Sequence, residues 1–165
     1  LHFTTDRQPQ KSTFNTRELI ADVCEALRPQ CDAQNIVVEL DVPKDLCLSA
    51  DHDMVRRAML NLVLNALDVM PNGGELTIIG CETKYGVEIE VADSGPGLPD
   101  DDTVNLFEPF FTTKSGGTGL GLALGLRTAQ VHGGEVCAAN CPQGGAAFTL
   151  KFPKQQVEKP LKAAA

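Results

Sequence analysis

The sequence has no Trp and a single Tyr, and aromatic residues make up only 5% of its 165 residues. A core built without large rings must rest on Leu, Val, Ile and Ala, which suits one domain of this length. Basic residues are also scarce: 14 Lys and Arg stand against 22 Asp and Glu, a formal charge of −8. Such a surface lacks the broad positive field that gripping a nucleic-acid backbone requires, so no nucleic-acid partner is expected. It leaves room for a small anionic ligand held by local backbone N–H groups. No apolar run approaches the roughly 20 residues that cross a bilayer, and no direct membrane contact is expected. No secretory leader is visible and the chain starts at Leu1 rather than Met, which fits a piece of a longer parent.

Cysteine is present, but in no metal-binding arrangement. Cys24, Cys31, Cys47, Cys81, Cys137 and Cys141 include no C-x-x-C, and no His stands at ligand spacing beside a pair. They are expected to be free thiols in a reducing, cytoplasmic compartment.

Periodicity divides the rest of the chain. Residues 1–14 are polar and read as a frayed end or the tail of a preceding element. Leu19, Ile20, Val23, Ala26 and Leu27 recur at helical spacing, predicting a helix from Arg17 to about Ala33, capped by Asn15 or Thr16 and kinked or shortened by Pro29. Ile36–Leu40 and Leu46–Leu48 read as short strands. Asp51 opens the clearest helix, whose face carries Met54, Val55, Ala58, Met59, Leu62, Val63, Ala66, Leu67 and Met70 before Pro71-Asn72-Gly73-Gly74 stops it. Glu75–Cys81 and Val87–Ala92 form one predicted hairpin, and Glu135–Ala139 and Ala146–Phe152 another. Between them lie a long irregular stretch, from Asp93 to about Gly117, and a helix over Leu120–His132. This order predicts an α+β two-layer sandwich, a mixed sheet covered on one face by three helices.

Three features carry chemistry, each with a plain competitor. Asn61, Asn65 and Asp68 share one face of the second helix, inside a strongly apolar segment. That face is either merely solvated or a ligand site, since an amide oxygen is a hard donor suited to Mg²⁺. Asp93-Ser94-Gly95-Pro96-Gly97 ends a predicted strand; it is either an ordinary Asp/Gly turn or a carboxylate placed to accept from an exocyclic amine. Gly116-Gly117-Thr118-Gly119-Leu120-Gly121-Leu122 enters a helix, either as a hinge or as a phosphate cradle at the positive dipole end.

Taken in this order, the three resemble the GHKL superfamily of ATP-binding domains, and within it the sensor histidine kinases. The stretch NLVLNALDVMPNGGELTI (61–78) is similar to that family's Asn-containing box and VADSGPGL (91–98) to its first glycine box. LFEPFFTTK (106–114) is similar to its Phe-containing box, and GTGLGLAL (117–124) with VHGG (131–134) to its second glycine box. The likeness runs from about residue 13 to 153, and the wording PFFTTK and MPNGG most resembles nitrogen-regulation-type kinases. The resemblance implies the Bergerat-type fold, ATP and Mg²⁺. It gives Asn65 as the Mg²⁺ ligand and Asn61 as its catalytic neighbour near the γ-phosphate. Asp93 becomes the adenine anchor, with Gly95 and Gly97 shaping the pocket. Residues 98–118 become a lid packed by Phe107, Phe110 and Phe111. Lys114, Gly117, Thr118, Gly119, Leu120, Gly121 and Leu122 become the phosphate-side residues. Asp68 and Val69 depart from the Lys and aromatic that many members carry there, and a carboxylate cannot replace a phosphate-pairing Lys.

The phosphoacceptor is expected elsewhere. The chain has His2, His52 and His132, and neither His52 nor His132 stands in an acceptor-like setting. The residues before Thr13 resemble the tail of the family's dimerisation helix, so residues 1–14 are expected to be a remnant of that helix or linker and the acceptor to lie upstream. Residues 15–153 would form the catalytic domain and 154–165 a C-terminal tail, partly vector-derived. The implied partners are the parent's dimerisation and phosphoacceptor domain and, downstream, a response regulator, with the fragment itself monomeric. Two rivals remain: a hydrolysing GHKL ATPase, which places a Glu where this chain has Asn61, and a non-catalytic nucleotide-binding module.

Overall fold

The computed structural model describes residues 7–99, 105–108 and 120–155. The first strand, β1 (Lys11–Asn15), runs directly into helix α1 (Thr16–Gln34), followed by strands β2 (Ile36–Asp41) and β3 (Cys47–Asp51). Helix α2 (His52–Asp68) leads to the hairpin β4 (Gly74–Glu82) and β5 (Gly86–Asp93). Helix α3 (Gly121–Val131) and the hairpin β6 (Glu135–Asn140) and β7 (Ala146–Pro153) complete the described elements. The main sheet has the order β2-β4-β5-β7-β6, and β1 pairs with β3 in a small separate sheet. β2 and β4 are parallel and every other pair is antiparallel, so the sheet is mixed. Three helices pack with it, as the alternation of patterns predicts.

Two local expectations are corrected. Residues 11–14 are not a frayed end: they are strand, with Lys11 opposite Asp51 and Asn15 opposite Cys47. Their side chains are exposed or half-buried, so the strand is made by backbone pairing and leaves no apolar alternation to read. Pro29 neither ends nor shortens α1, which runs on to Gln34. Pro29 and Glu25 are both exposed, so the carbonyl left without a helical N–H faces water, where the loss is tolerated. Asn15 caps this helix by accepting from Glu18 N at 3.0 Å, and Asn35 closes it in the left-handed region at φ 55°.

The core lies between α2 and the sheet. Val55, Ala58, Met59, Leu62, Val63, Ala66 and Leu67 are all buried, facing Leu76, Ile78, Ile89, Val91 and Leu150 of the central strands. Each large aliphatic side chain so buried contributes about 1.5–3 kcal/mol. The helix follows from its sequence: one apolar stripe, no interior Gly or Pro, and Asp51 at the start.

Asp51 does more than cap. Its Oδ1 accepts from Met54 N at 3.1 Å and its Oδ2 from Gln10 N at 2.8 Å. Its own N–H donates to His132 Nε2 at 2.9 Å. The other ring nitrogen, Nδ1, therefore carries the proton and donates to Thr128 O at 2.6 Å. The imidazole is buried and meets the Phe152 ring edge-on at 5.8 Å. One side chain thus ties the end of α3 to the start of α2 and to β7, a structural role for His132.

Burial opposes ionisation of the Asp51 carboxyl, but the N–H groups of Gln10 and Met54 and the charge of Arg7 outweigh it and hold its pKa below the ordinary value. A carboxyl depressed in the folded state stabilises above its unfolded pKa, about 3.9, and loses that contribution as pH falls through the folded value. Asp51→Asn is therefore expected to flatten the acid limb of the stability curve below about pH 4. Asp51→Ala is expected to cost roughly 1–2 kcal/mol at neutral pH. Urea unfolding at a series of pH values measures both, and an unchanged acid limb in the Asn variant would assign that limb to other groups.

Candidate functional site

The site forms where β5 ends. Asp93 is its last residue and is buried at 7% exposure. Burying a carboxylate is costly unless it is hydrogen-bonded. Here Oδ1 accepts from Gly95 N at 2.9 Å, a local Asx turn, and from Ala146 N at 3.3 Å across the sheet. Ser94 locks the strand end to its neighbour: Glu75 N donates to Ser94 Oγ at 2.9 Å and Ser94 N to Glu75 O at 3.1 Å. Gly95 presses against the end of α2, since a Cβ there would stand 2.9 Å from Val69 Cγ2. Val69 thus stands directly against Gly95, next to the buried Met70 in sequence.

The Asn-bearing helix supplies the second part. Asn61 and Asn65 are half-buried on α2. A Cβ at Gly121, the first residue of α3, would lie 3.6 Å from Asn61 Cβ and 3.9 Å from its Oδ1. Asn61 therefore faces the N-terminal turn of α3, where backbone N–H groups and the helix dipole favour an anion. Leu120 has helical backbone angles and offers no side-chain cap to that turn. Leu122 is partly buried, its side chain packed against the core. Asp68 is exposed and Gly97 half-buried.

Lys114, Gly117, Thr118 and Gly119, with Phe110 and Phe111, lie outside the described residues. Phe107 is described and meets the Phe148 ring edge-on at 6.3 Å. Among the described residues, no group of three His, Cys, Asp or Glu is placed to hold a metal ion. All six cysteines are free. Burial, with Cys31 nearby, pushes the Cys24 thiol up to about 11, and burial raises the pKa values of Cys31 and Cys141.

Sequence reasoning missed the β6–β7 turn as part of the site. Gly145, at φ +87°, passes so close to the strand end that a Cβ would sit 1.8 Å from Asp93 O. Asn140, before it, holds Leu98, and the Gly144-Gly145 doublet was the available signal.

A sheet of this order with a buried carboxylate at a central strand end, opposite an Asn-bearing helix, defines a Bergerat-type α/β sandwich. Residues 50–156 match the model of the family described as histidine kinase-, DNA gyrase B-, and HSP90-like ATPase. The catalytic domain of histidine kinase ThkA superposes with a TM-score of 0.81 at 32% identity, covering 88% of this chain and 96% of that one. The chain belongs to this family, and within it is an ATP-binding catalytic domain of histidine kinase type.

Sporulation kinase A of Bacillus subtilis (strain 168) is 34% identical over 146 residues, which is 88% of this chain but 24% of that protein. The chain thus spans about a quarter of that curated relative. Full-length ShkA in complex with AMPPNP gives a TM-score of 0.75 at 28% identity, covering 87% of this chain and 31% of that one. ThkA in complex with response regulator protein TrrA gives 0.78 at 28%, covering 89% and 42%.

Gly145→Ala should therefore destabilise more than Gly144→Ala. Both positions have positive φ, but a Cβ at Gly144 meets nothing within 4 Å. Backbone strain alone costs of order 1–3 kcal/mol, and the collision with Asp93 O is expected to add about 1–3 kcal/mol at position 145. Urea midpoints of the two variants separate strain from clash; equal midpoints would mean the turn moves away freely.

Proposed function

We propose that this chain binds Mg-ATP and passes the γ-phosphoryl group to a histidine on a separate dimerisation domain of its parent. The observation that carries the reading is the buried Asp93 carboxylate, fixed at the end of β5 by Gly95 N and Ala146 N. A carboxylate held there accepts from an exocyclic amine, which selects adenine over a base that presents a carbonyl. Gly95 and Gly97 shape the pocket around it. The N-terminal turn of α3, with the backbone N–H groups of Leu120 and Gly121, suits the phosphates, and the resemblance gives Lys114, Gly117, Thr118 and Gly119 the same role.

The donors present fit Mg²⁺. Asn65 supplies a hard amide oxygen, and Mg²⁺ takes few protein ligands while phosphate and water supply the rest. When bound it neutralises phosphate charge. Asn61, against Gly121, orients the γ-phosphate. In the transfer the bond between the γ-phosphorus and the β–γ bridging oxygen breaks, a phosphorus–nitrogen bond to an imidazole forms, and ADP leaves. Such a reaction depends on alignment and charge stabilisation more than on covalent help from the protein.

Asn61 also argues against the hydrolysing rival. An amide is not a useful general base, so water is not activated at that position. His52 is exposed beside Asp53 and edge-on to Phe14, and His132 is buried in its own bonds, so neither is offered as acceptor, and His2 lies outside the described residues. With the family's pattern this supports an acceptor on a separate upstream domain. The response regulator follows as the second acceptor. The box wording supports a place among nitrogen-regulation-type kinases. The free thiols fit a reducing, cytoplasmic setting. We read the piece as monomeric, with residues 1–14 as the remnant of the upstream dimerisation helix or linker, of which Lys11–Phe14 lie in β1.

Titration calorimetry with a non-hydrolysable ATP analogue tests the reading. Binding is expected to strengthen with Mg²⁺ and to be lost in Asp93→Asn, whose amide presents a donor beside the adenine amine. No binding by the unaltered chain would overturn it. With ATP alone, phosphate release should stay near background, while adding a dimerisation domain in trans should yield an acid-labile phosphohistidine. Steady release without acceptor would favour the hydrolysing rival.

A further inference from the structure

Asn140 ends β6, is exposed, and makes two hydrogen bonds to a residue far earlier in the chain. Leu98 N donates to Asn140 Oδ1 at 2.6 Å, and Asn140 Nδ2 donates to Leu98 O at 3.2 Å. That is the pairing a neighbouring strand would give, supplied by a side-chain amide just after β5 has ended. An amide side chain carries a separate donor and acceptor, so it can meet the backbone N–H and C=O of one residue at once. Gly97, at φ +84°, lies against the same amide, where a Cβ would stand 2.8 Å from Asn140 Oδ1. The turn that Asn140 opens also holds Asp93, through Ala146 N and the close passage of Gly145, and is itself closed by Cys141 N donating to Gly145 O at 2.9 Å. One turn therefore holds both the buried carboxylate and the segment that follows it.

We propose that Asn140 is a positioning residue for the nucleotide: by pinning both polar groups of the Leu98 peptide, it sets the spacing between the Asp93 carboxylate and the Gly95–Leu98 wall of the base pocket. The inference rests on the Mg-ATP reading above. Asn140 acts through Leu98 and Gly97 and does not touch the base. When the clamp is removed, the segment keeps its anchor at Ser94 but its far end is released. The wall then widens, and part of the binding energy goes into ordering it. The core loses nothing, because the clamp lies at the rim.

The test compares the whole chain with Asn140→Ala and Asn140→Asp. The Asp variant keeps the acceptor for Leu98 N but turns a carboxylate oxygen toward Leu98 O. Three quantities are read: calorimetric affinity for a non-hydrolysable ATP analogue with Mg²⁺, hydrogen exchange at the Leu98 amide, and thermal unfolding without nucleotide. Both variants are expected to bind about fivefold more weakly, with the Asp variant no tighter than wild type in any condition. Leu98 exchange should accelerate in Asn140→Ala, which removes the acceptor of that amide, while Ile78 and Ile89 exchange unchanged, and the Tm of both variants should stay within about 3 °C. Faster exchange at Leu98 with unchanged affinity would overturn the proposal, as would unchanged Leu98 exchange in Asn140→Ala. Weaker binding accompanied by faster exchange at Ile78 and Ile89 would also overturn it, showing general loosening. If the unaltered chain binds no nucleotide, the ATP reading itself fails; if it binds and the variants bind equally well, this inference alone fails.

Discussion

The candidate site depends on a buried carboxyl group that must be hydrogen-bonded at the edge of an apolar sandwich. Asp93 sits at the end of a strand whose inward residues, Val87, Ile89 and Val91, belong to the core. A polar group there has to be satisfied by the protein, and the chain does so with backbone donors from two sides. That requirement explains several choices at once. Gly95 lets the backbone fold back to reach Oδ1, Ala146 gives its N–H from the adjoining strand, and Gly145 has no side chain because Asp93 O occupies the space. What satisfies the carboxyl group also leaves it oriented for a ligand.

The second requirement is that two helices far apart in sequence keep a fixed relation. Asn61 on α2 meets Gly121 on α3 at one end of the pair. At the other, His132 accepts from Asp51 N and donates to Thr128 O. A displacement at the His132 end would be carried along α3 to its first turn, because a helix is stiff over this length. The buried imidazole is therefore a structural fixture that holds α3 relative to the start of α2. The geometry suits a reaction in which placement is most of the catalysis.

How much of this was legible in the sequence differs by element. The stripe from Val55 to Leu67 marked α2 because period 3.6 records side-chain burial directly. The hairpins β4–β5 and β6–β7 were marked by alternation and by glycine turns. The wording of four boxes indicated the family, and it singled out Asn61, Asn65 and Asp93 as candidate site residues. By contrast β1 carries a polar sequence, and the run of α1 through Pro29 contradicts a sound local rule. Both are decided by surroundings: a partner strand in one case, and water at the freed carbonyl in the other.

By itself, then, the sequence determined which segments bury apolar faces and which residue types stand ready at their ends, since both leave a local record in composition and spacing. The tertiary structure alone decided the parallel pairing of β2 with β4, the grip of Asn140 on Leu98, and the junction of Asp51 with His132. These contacts join a side chain or strand to backbone 38 to 81 positions away. A backbone N–H or C=O is the same group at every residue, so nothing in the order of amino acids states which one will be met.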